Sequence, residues 1–195
     1  MAYFFIADIH FGHVNALSFD NRPFKTIEEH DHALVENWNR AVGMDDEVFI
    51  LGDISWYNAM KTIELVKSLN GIKNFIVGNH DKKLLKNREF QSLFAEITDY
   101  KELDLSGGKR AVLSHYPIPC FNHHFYGWYH FYGHVHRSFE WNMMERVKYE
   151  MTVLYDKPCL MFNCGVMMDY INYTPRTIEE ILSADSLNQA PVDAQ

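Results

Sequence analysis

Three apolar runs constrain this chain more than any other feature, because each stops at side chains that bind metals or move protons. "YFFIA" (residues 3–7) runs into Asp8-Ile9-His10, "EVFIL" (47–51) into Gly52-Asp53, and "NFIV" (74–77) into Gly78-Asn79-His80-Asp81. Short apolar runs of this kind read as buried strands. Between the first two, Thr26-Ile27-Glu28-Glu29 is a capping box. It starts a helix expected to run to about residue 41, with Ile27, Leu34, Trp38 and Ala41 at helical spacing. Residues 58–69 read as a second amphipathic helix. Strand, helix, strand, helix, strand is the order of parallel crossovers. Parallel strands share a direction, so all three polar ends should lie on one carboxyl edge, where open α/β sheets place their ligands.

The second half reads differently. Residues 100–117 suggest a hairpin turning at Ser106-Gly107-Gly108-Lys109, and "YHFYGHV" and "PCLMFNCG" supply two more strands. Residues 149–155 read as a further strand, and a late helix is expected after Pro175 with Thr174 as its cap. The expected organisation is one α/β domain over residues 1–182, followed by a flexible polar tail, 183–195.

Histidine is over-represented, with eleven in 195 residues. Ser114-His115 ends one later strand and Gly133-His134-Val135-His136 follows another; if that strand continues, His134 and His136 face the same way. Taken singly, each cluster is also an ordinary turn or an exposed strand end. Together Asp8, His10, Asp53, Asn79, His115, His134 and His136 supply the donors that two divalent ions need. Oxygen and imidazole donors without thiolate suit Mn, Fe, Zn, Co or Ni. Two such ions bring four positive charges, of which Asp8, Asp53 and a hydroxide cancel three. The positive charge left over favours an anionic phosphoryl group.

Composition excludes several classes. Hydrophobic residues make up 47% of the chain, enough for one packed core. A net charge of -8 and a pI near 5.7 argue against a general nucleic-acid coat or an anionic membrane surface. No apolar run approaches the ~20 residues of a membrane span. The N-terminal run has no basic leader, so no signal peptide is expected. Cys120, Cys159 and Cys164 lack Cys-x-x-Cys spacing and read as reduced, mostly buried thiols of a cytoplasmic protein.

In the order Asp8/His10, Gly52-Asp53, Gly78-Asn79-His80-Asp81, His115, Gly133-His134-Val135-His136, these motifs resemble the calcineurin-like metallophosphoesterase superfamily over residues 1 to about 170. The similarity is greatest to its small bacterial and phage phosphoesterases that begin with "DxHFGHxN", here residues 8–15. The resemblance implies four layers, two mixed sheets packed together with helices outside. It implies one metal on Asp8, His10, Asp53 and His136, and another on Asp53, Asn79, His115 and His134, with Asp53 bridging and manganese the first expectation. It also implies attack by a bridging hydroxide on a phosphodiester or a small phosphomonoester. His80 matches the general acid, with Asp81 orienting its ring; the other readings of His80 are a ligand or a supporting group. Asp53 is followed by "ISWYNAM", without the second acid and arginine of the phosphoprotein phosphatases, so protein phosphatase activity is not expected.

Outside the ligand set, His13 and Arg22 are candidates for substrate phosphate, with Asn79 sharing that role. Helix-cap packing for His13 and a surface salt bridge for Arg22 are the alternatives. His123 and His124 either cover the substrate from loop 117–128 or stand exposed, and His30 and His32 read as surface groups. Gly78 is expected to let the chain turn sharply. Two other functions compete: a nuclease, disfavoured by the acidic charge, and a scaffold of the same fold that has lost catalysis.

Overall fold

The computed structural model describes residues 1–188. In chain order its elements are β1 (Tyr3–Ile6), α1 (Val14–Phe19), α2 (Ile27–Ala41), β2 (Glu47–Leu51), α3 (Ala59–Ser68), β3 (Ile72–Ile76), α4 (Arg88–Gln91), β4 (Glu96–Thr98), β5 (Tyr100–Asp104), β6 (Arg110–Ser114), β7 (Tyr129–Tyr132), α5 (Phe139–Tyr149), β8 (Leu160–Asn163), β9 (Arg176–Thr177) and α6 (Ile178–Asn188). Among the described residues the strands form two mixed sheets, ordered β4-β3-β2-β1-β9 and β5-β6-β7-β8. In the first, β1 through β4 are parallel and β9 runs antiparallel to β1. In the second, β5 and β6 form the expected antiparallel pair, and β6, β7 and β8 are parallel. With helices flanking both sheets, this is the four-layer arrangement that the resemblance implies.

Local chemistry accounts for the helices. The Thr26 side chain accepts from Glu29 N–H, while Glu29 reaches back to Lys25 N–H. Asn58 caps α3 through Lys61 N–H. Aromatic packing then joins the sheets. Phe5 of β1 stacks on Phe131 of β7 at 4.3 Å between centroids, with Phe49 and Phe162 next in line. Backbone bonds stitch the same edge: Ala7 N–H donates to Cys164 O at 2.7 Å, and Cys164 N–H to Tyr132 O at 2.7 Å. The carboxyl ends of both sheets are thus drawn together.

Three expectations are corrected. Residues 149–155 are not a strand: α5, capped by Ser138, leads into a wider helical turn over Glu150–Leu154. Among the described residues no strand pairs with this segment, and Val153, Leu154 and Tyr155 are exposed. The last helix is capped by Thr177 rather than Thr174, because Arg176 and Thr177 are held against β1 as β9; Thr177 and Glu180 form its capping box. That helix continues to Asn188, so the first residues of the expected tail are helical, and residues 189–195 lie outside the described residues. Among the described residues no helix is long and apolar enough to cross a membrane.

His130 is wholly buried between the strands of the second sheet. Its Nδ1 donates to Val112 O and its Nε2 accepts from Ile118 N–H, both at 3.0 Å. Burial pushes its pKa down to about 4. The unfolded chain therefore binds one proton more between roughly pH 6.5 and 4, and stability should fall as pH drops through that window, by about 3 kcal/mol at its lower end. Chemical denaturation at a series of pH values should show a shallower dependence for His130→Gln than for the wild type.

Candidate metal centre

The polar ends of β1, β2 and β3 do meet on one edge, and the loops after β6 and β7 close over it. The turns after β1 and β2 continue as a backbone ladder: His10 N–H donates to Asp53 O at 3.0 Å and Phe11 N–H to Ile54 O at 3.0 Å. Asp8, His10, Asp53, His134 and His136 all have φ between 50° and 72°. That left-handed region costs a non-glycine residue about 1–2 kcal/mol. Such strain persists where the surroundings over-determine it, commonly at functional sites. It also corrects one expectation: His134 and His136 sit past the end of β7 and converge through left-handed turns, not through strand alternation.

The seven expected ligands come together. His10 Nε2 lies 3.2 Å from His136 Nε2, and His136 Nε2 lies 3.9 Å from Asp8 Oδ1. Asn79 Oδ1 is 2.9 Å from His115 Nε2 and 3.0 Å from His134 Nδ1. Asp53 Oδ2 stands between these clusters, 3.9 Å from His10 Nε2 and 3.7 Å from His115 Nε2. Two groups, Asp8/His10/His136 and Asp8/Asp53/His115, have ligand atoms close enough to hold an ion. Asp8 belongs to both, so the geometry offers it beside Asp53 as a shared carboxylate.

The donor chemistry fits a cation. Asp20 lies 2.9 Å from His136 Nδ1, and a carboxylate only accepts, so Nδ1 carries a proton and Nε2 faces the site; against burial, Asp8 and Asp20 raise the pKa of this ring, and a cation bound at Nε2 would displace a second proton. Leu51 O accepts from His115 Nδ1 at 2.8 Å and fixes that ring the same way. Lone pairs of His115, Asn79 and Asp53 then point at one another across 2.9–3.7 Å. Donors on one ion with bonds of ~2.1 Å lie roughly 3.0–3.4 Å apart. Among the described residues His10 Nδ1 is buried without a hydrogen-bond partner, and burial, then the neighbouring His136, holds its pKa well below the usual imidazole value. Burial, with the charge of Asp8, raises the Asp53 carboxyl against the pull of His115. Both shifts run toward the uncharged forms, the effect of burial, and neutral imidazole is the form that binds a cation.

Four residues do other work than expected. Asp81 does not orient His80: its oxygens accept from the N–H groups of Gly78 (2.7 Å), Asp53 (2.8 Å) and Ile54 (3.1 Å). Arg22 is no substrate clamp. It is 4% exposed, and its guanidinium donates to Asp20, to Asp8 O and Ile9 O, and to His30 Nε2. His30 is accordingly buried, not on the surface, and its Nδ1 donates to Asp31 at 2.8 Å. Gly78 serves close approach rather than a turn, because a Cβ there would stand 2.6 Å from Asp53 N. His32 is exposed, as expected.

His13 occupies the N-cap position of α1 but makes no capping bond; its ring stacks on Trp56 at 3.9 Å and 1°. His80 is on the open side, its side chain 48% exposed and its Nε2 3.9 Å from Asp53 Oδ2. In loop 117–128 His124 is buried and bonds Phe121 O, while His123 packs on Trp128. Sequence reasoning misses Asp20 and Trp56. Asp20 is 116 residues from the ring it orients, and no local pattern marks such a pair.

A family profile described as calcineurin-like phosphoesterase matches residues 1–163. An uncharacterised protein of Methanocaldococcus jannaschii is 37% identical over 137 residues, 69% of each chain. The gene 66 protein of a Mycobacterium phage is 32% identical over 129 residues, 58% of this chain and 62% of that one. A solved Aquifex aeolicus protein of unknown function aligns over 94% of this chain and 98% of its own, with a TM-score of 0.61 and 24% identity, a likeness of fold.

Asp20→Ala should weaken divalent-ion binding roughly 10–100-fold, the range for a lost carboxylate behind a ligating histidine. Asp20→Asn, which keeps an acceptor, should lose less, and Asp53→Ala should lose binding outright. Titration calorimetry with manganese measures all three.

Proposed function

For a chain that belongs to the calcineurin-like phosphoesterase family, we propose metal-dependent hydrolysis of phosphoester bonds at two divalent ions. The substrate is a phosphodiester or a small phosphomonoester. The observation that carries this reading is the convergence of seven metal-ligating side chains whose ligand atoms approach one another within 2.9–3.9 Å. Asp8, His10, Asp53 and His136 would hold one ion; Asp53, Asn79, His115 and His134 would hold the other. Manganese is the first choice, with Fe, Zn, Ni and Co as alternatives for the same donors. Ions bound there would activate water and neutralise charge building on the phosphoryl oxygens.

The chain's own groups supply the rest. Asp20 and Leu51 O keep His136 and His115 in the tautomer that leaves Nε2 free. His80 N–H donates to Asp53 Oδ1 at 3.0 Å, so the backbone that carries the acid also fixes the central carboxylate. The His80 ring, on the solvent side, is placed to give its proton to a departing oxygen. His13 lies on the same open side, suited to a phosphoryl oxygen not held by the ions. The net charge of -8 favours a small ester over a polymer.

His80→Ala should retain bound metal and lose roughly 10²-fold or more on an ester with a basic alkoxide leaving group. Loss on a p-nitrophenyl ester, which needs little protonation, should be much smaller. A panel of monoesters, diesters and oligonucleotides, run separately with Mn, Ni, Mg and Zn, checks this. Equal loss on both esters would remove His80 from the acid role, and turnover confined to oligonucleotides, with a steep salt dependence, would favour a nuclease.

A further inference from the structure

His80 is the group the proposed chemistry asks most of, yet no hydrogen bond to its ring is found among the described residues. Its side chain is about half exposed. Asp81, the expected orienting partner, is committed to three backbone amides. Among the described residues the nearest ring to His80 is the indole of Trp56, 4.3 Å away between centroids and inclined at 48°; His10 is farther, at 6.3 Å.

Trp56 is itself firmly placed. It lies three residues past Asp53, in the turn laddered to the β1 loop, and its N–H donates to Phe11 O at 2.8 Å. The neighbouring bridge pairs Phe11 with Ser55. The indole stacks parallel on His13 and also meets His10 at 4.7 Å. It is nonetheless 39% exposed, so part of the indole stays open to solvent beside His80. Among the described residues the His80 ring has, apart from the indole, only the Asp53 carboxylate at 3.9 Å and the more distant His10 ring beside it, neither within hydrogen-bond distance, so its orientation leans on the indole. Without the indole, the His80 side chain would be free to rotate into solvent, away from the oxygen it must protonate.

We propose that Trp56 is a positioning residue for His80, holding the imidazole over the metal centre by ring packing where a carboxylate would otherwise be expected. This rests on the acid role proposed for His80 and deepens it. The stack His13–Trp56–His80 joins the turns after β1, β2 and β3 on the open side of the site. Because the indole also meets His10 and His13, bound metal is measured alongside, and the part of the Trp56 effect that depends on the leaving group reports on His80.

The test is a double-mutant cycle on an alkyl phosphodiester and its p-nitrophenyl counterpart, using the manganese-loaded full chain. Trp56→Ala should lower kcat on the alkyl ester at least tenfold more than on the p-nitrophenyl ester, with KM changed less than threefold. Trp56→Phe should recover most of the loss. In the His80→Ala background Trp56→Ala should cost nothing further, because the two act as one unit. A second readout needs no turnover. In the metal-free protein, the ring-current shift of the His80 carbon-bound protons should vanish in Trp56→Ala and persist in Trp56→Phe. Additive losses, a KM effect without a kcat effect, or an unchanged His80 signal would overturn the positioning role. If His80→Ala itself shows no leaving-group dependence while the wild type is active, the acid reading fails, and the proposal falls with it. The proton shift would still report whether the indole holds the ring.

Discussion

The site depends on a carboxylate assigned no part in the chemistry. Asp81 is fully buried, and its two oxygens gather the N–H groups of Gly78, Asp53 and Ile54. Those amides belong to the turns after β2 and β3, so one side chain clamps the two loops that carry Asp53, Asn79 and His80. Burial and the charge of Asp53 raise its pKa, while the three amides act against that rise. Such a buried acceptor is stable only because every lone pair it turns inward finds a donor. Gly78 makes the clamp possible by leaving no Cβ between Asp53 and Asp81.

A parallel brace works behind β1. Arg22 joins Asp20, the carbonyls of Asp8 and Ile9, and His30, and His30 passes on to Asp31, which accepts from Gly12 N–H. Hydrogen bonding to His136 and the charge of Arg22 outweigh burial and hold the Asp20 carboxyl below its ordinary value. Its negative charge is therefore present to pin His136. Both devices spend buried charge on geometry, and the centre between them is left with more carboxylate than cation. Divalent ions bound there would offset the carboxylate charge, and the backbone strain at five of the seven candidate ligands is the cost of aiming them inward.

Much of this was legible in the sequence, and for local reasons. The capping box fixed α2, apolar runs marked β1, β2 and β3, and the ligands stood out because each closes a strand. What was not legible depends on partners far along the chain. Arg22 and His30 look like surface groups until their mutual contact and Asp20 are known. Asp81 reads as an aid to His80 because the two are adjacent, yet its partners lie mainly on the β2 turn. Residues 149–155 carry strand-forming side chains but have no strand to pair with, so the helical register of α5 carries through them. Tertiary context overrides local propensity in each of these places.

The claim at the centre of this account is that seven side chains brought together from both sheets make a two-ion hydrolytic site. Stepwise manganese titration of the metal-free chain, following bound ion by elemental analysis and phosphodiester turnover in the same samples, tests it most directly. A two-ion site gives a stoichiometry of two and activity that appears as the second ion binds. Saturation at fewer than two ions, or turnover that does not depend on bound metal, would contradict it.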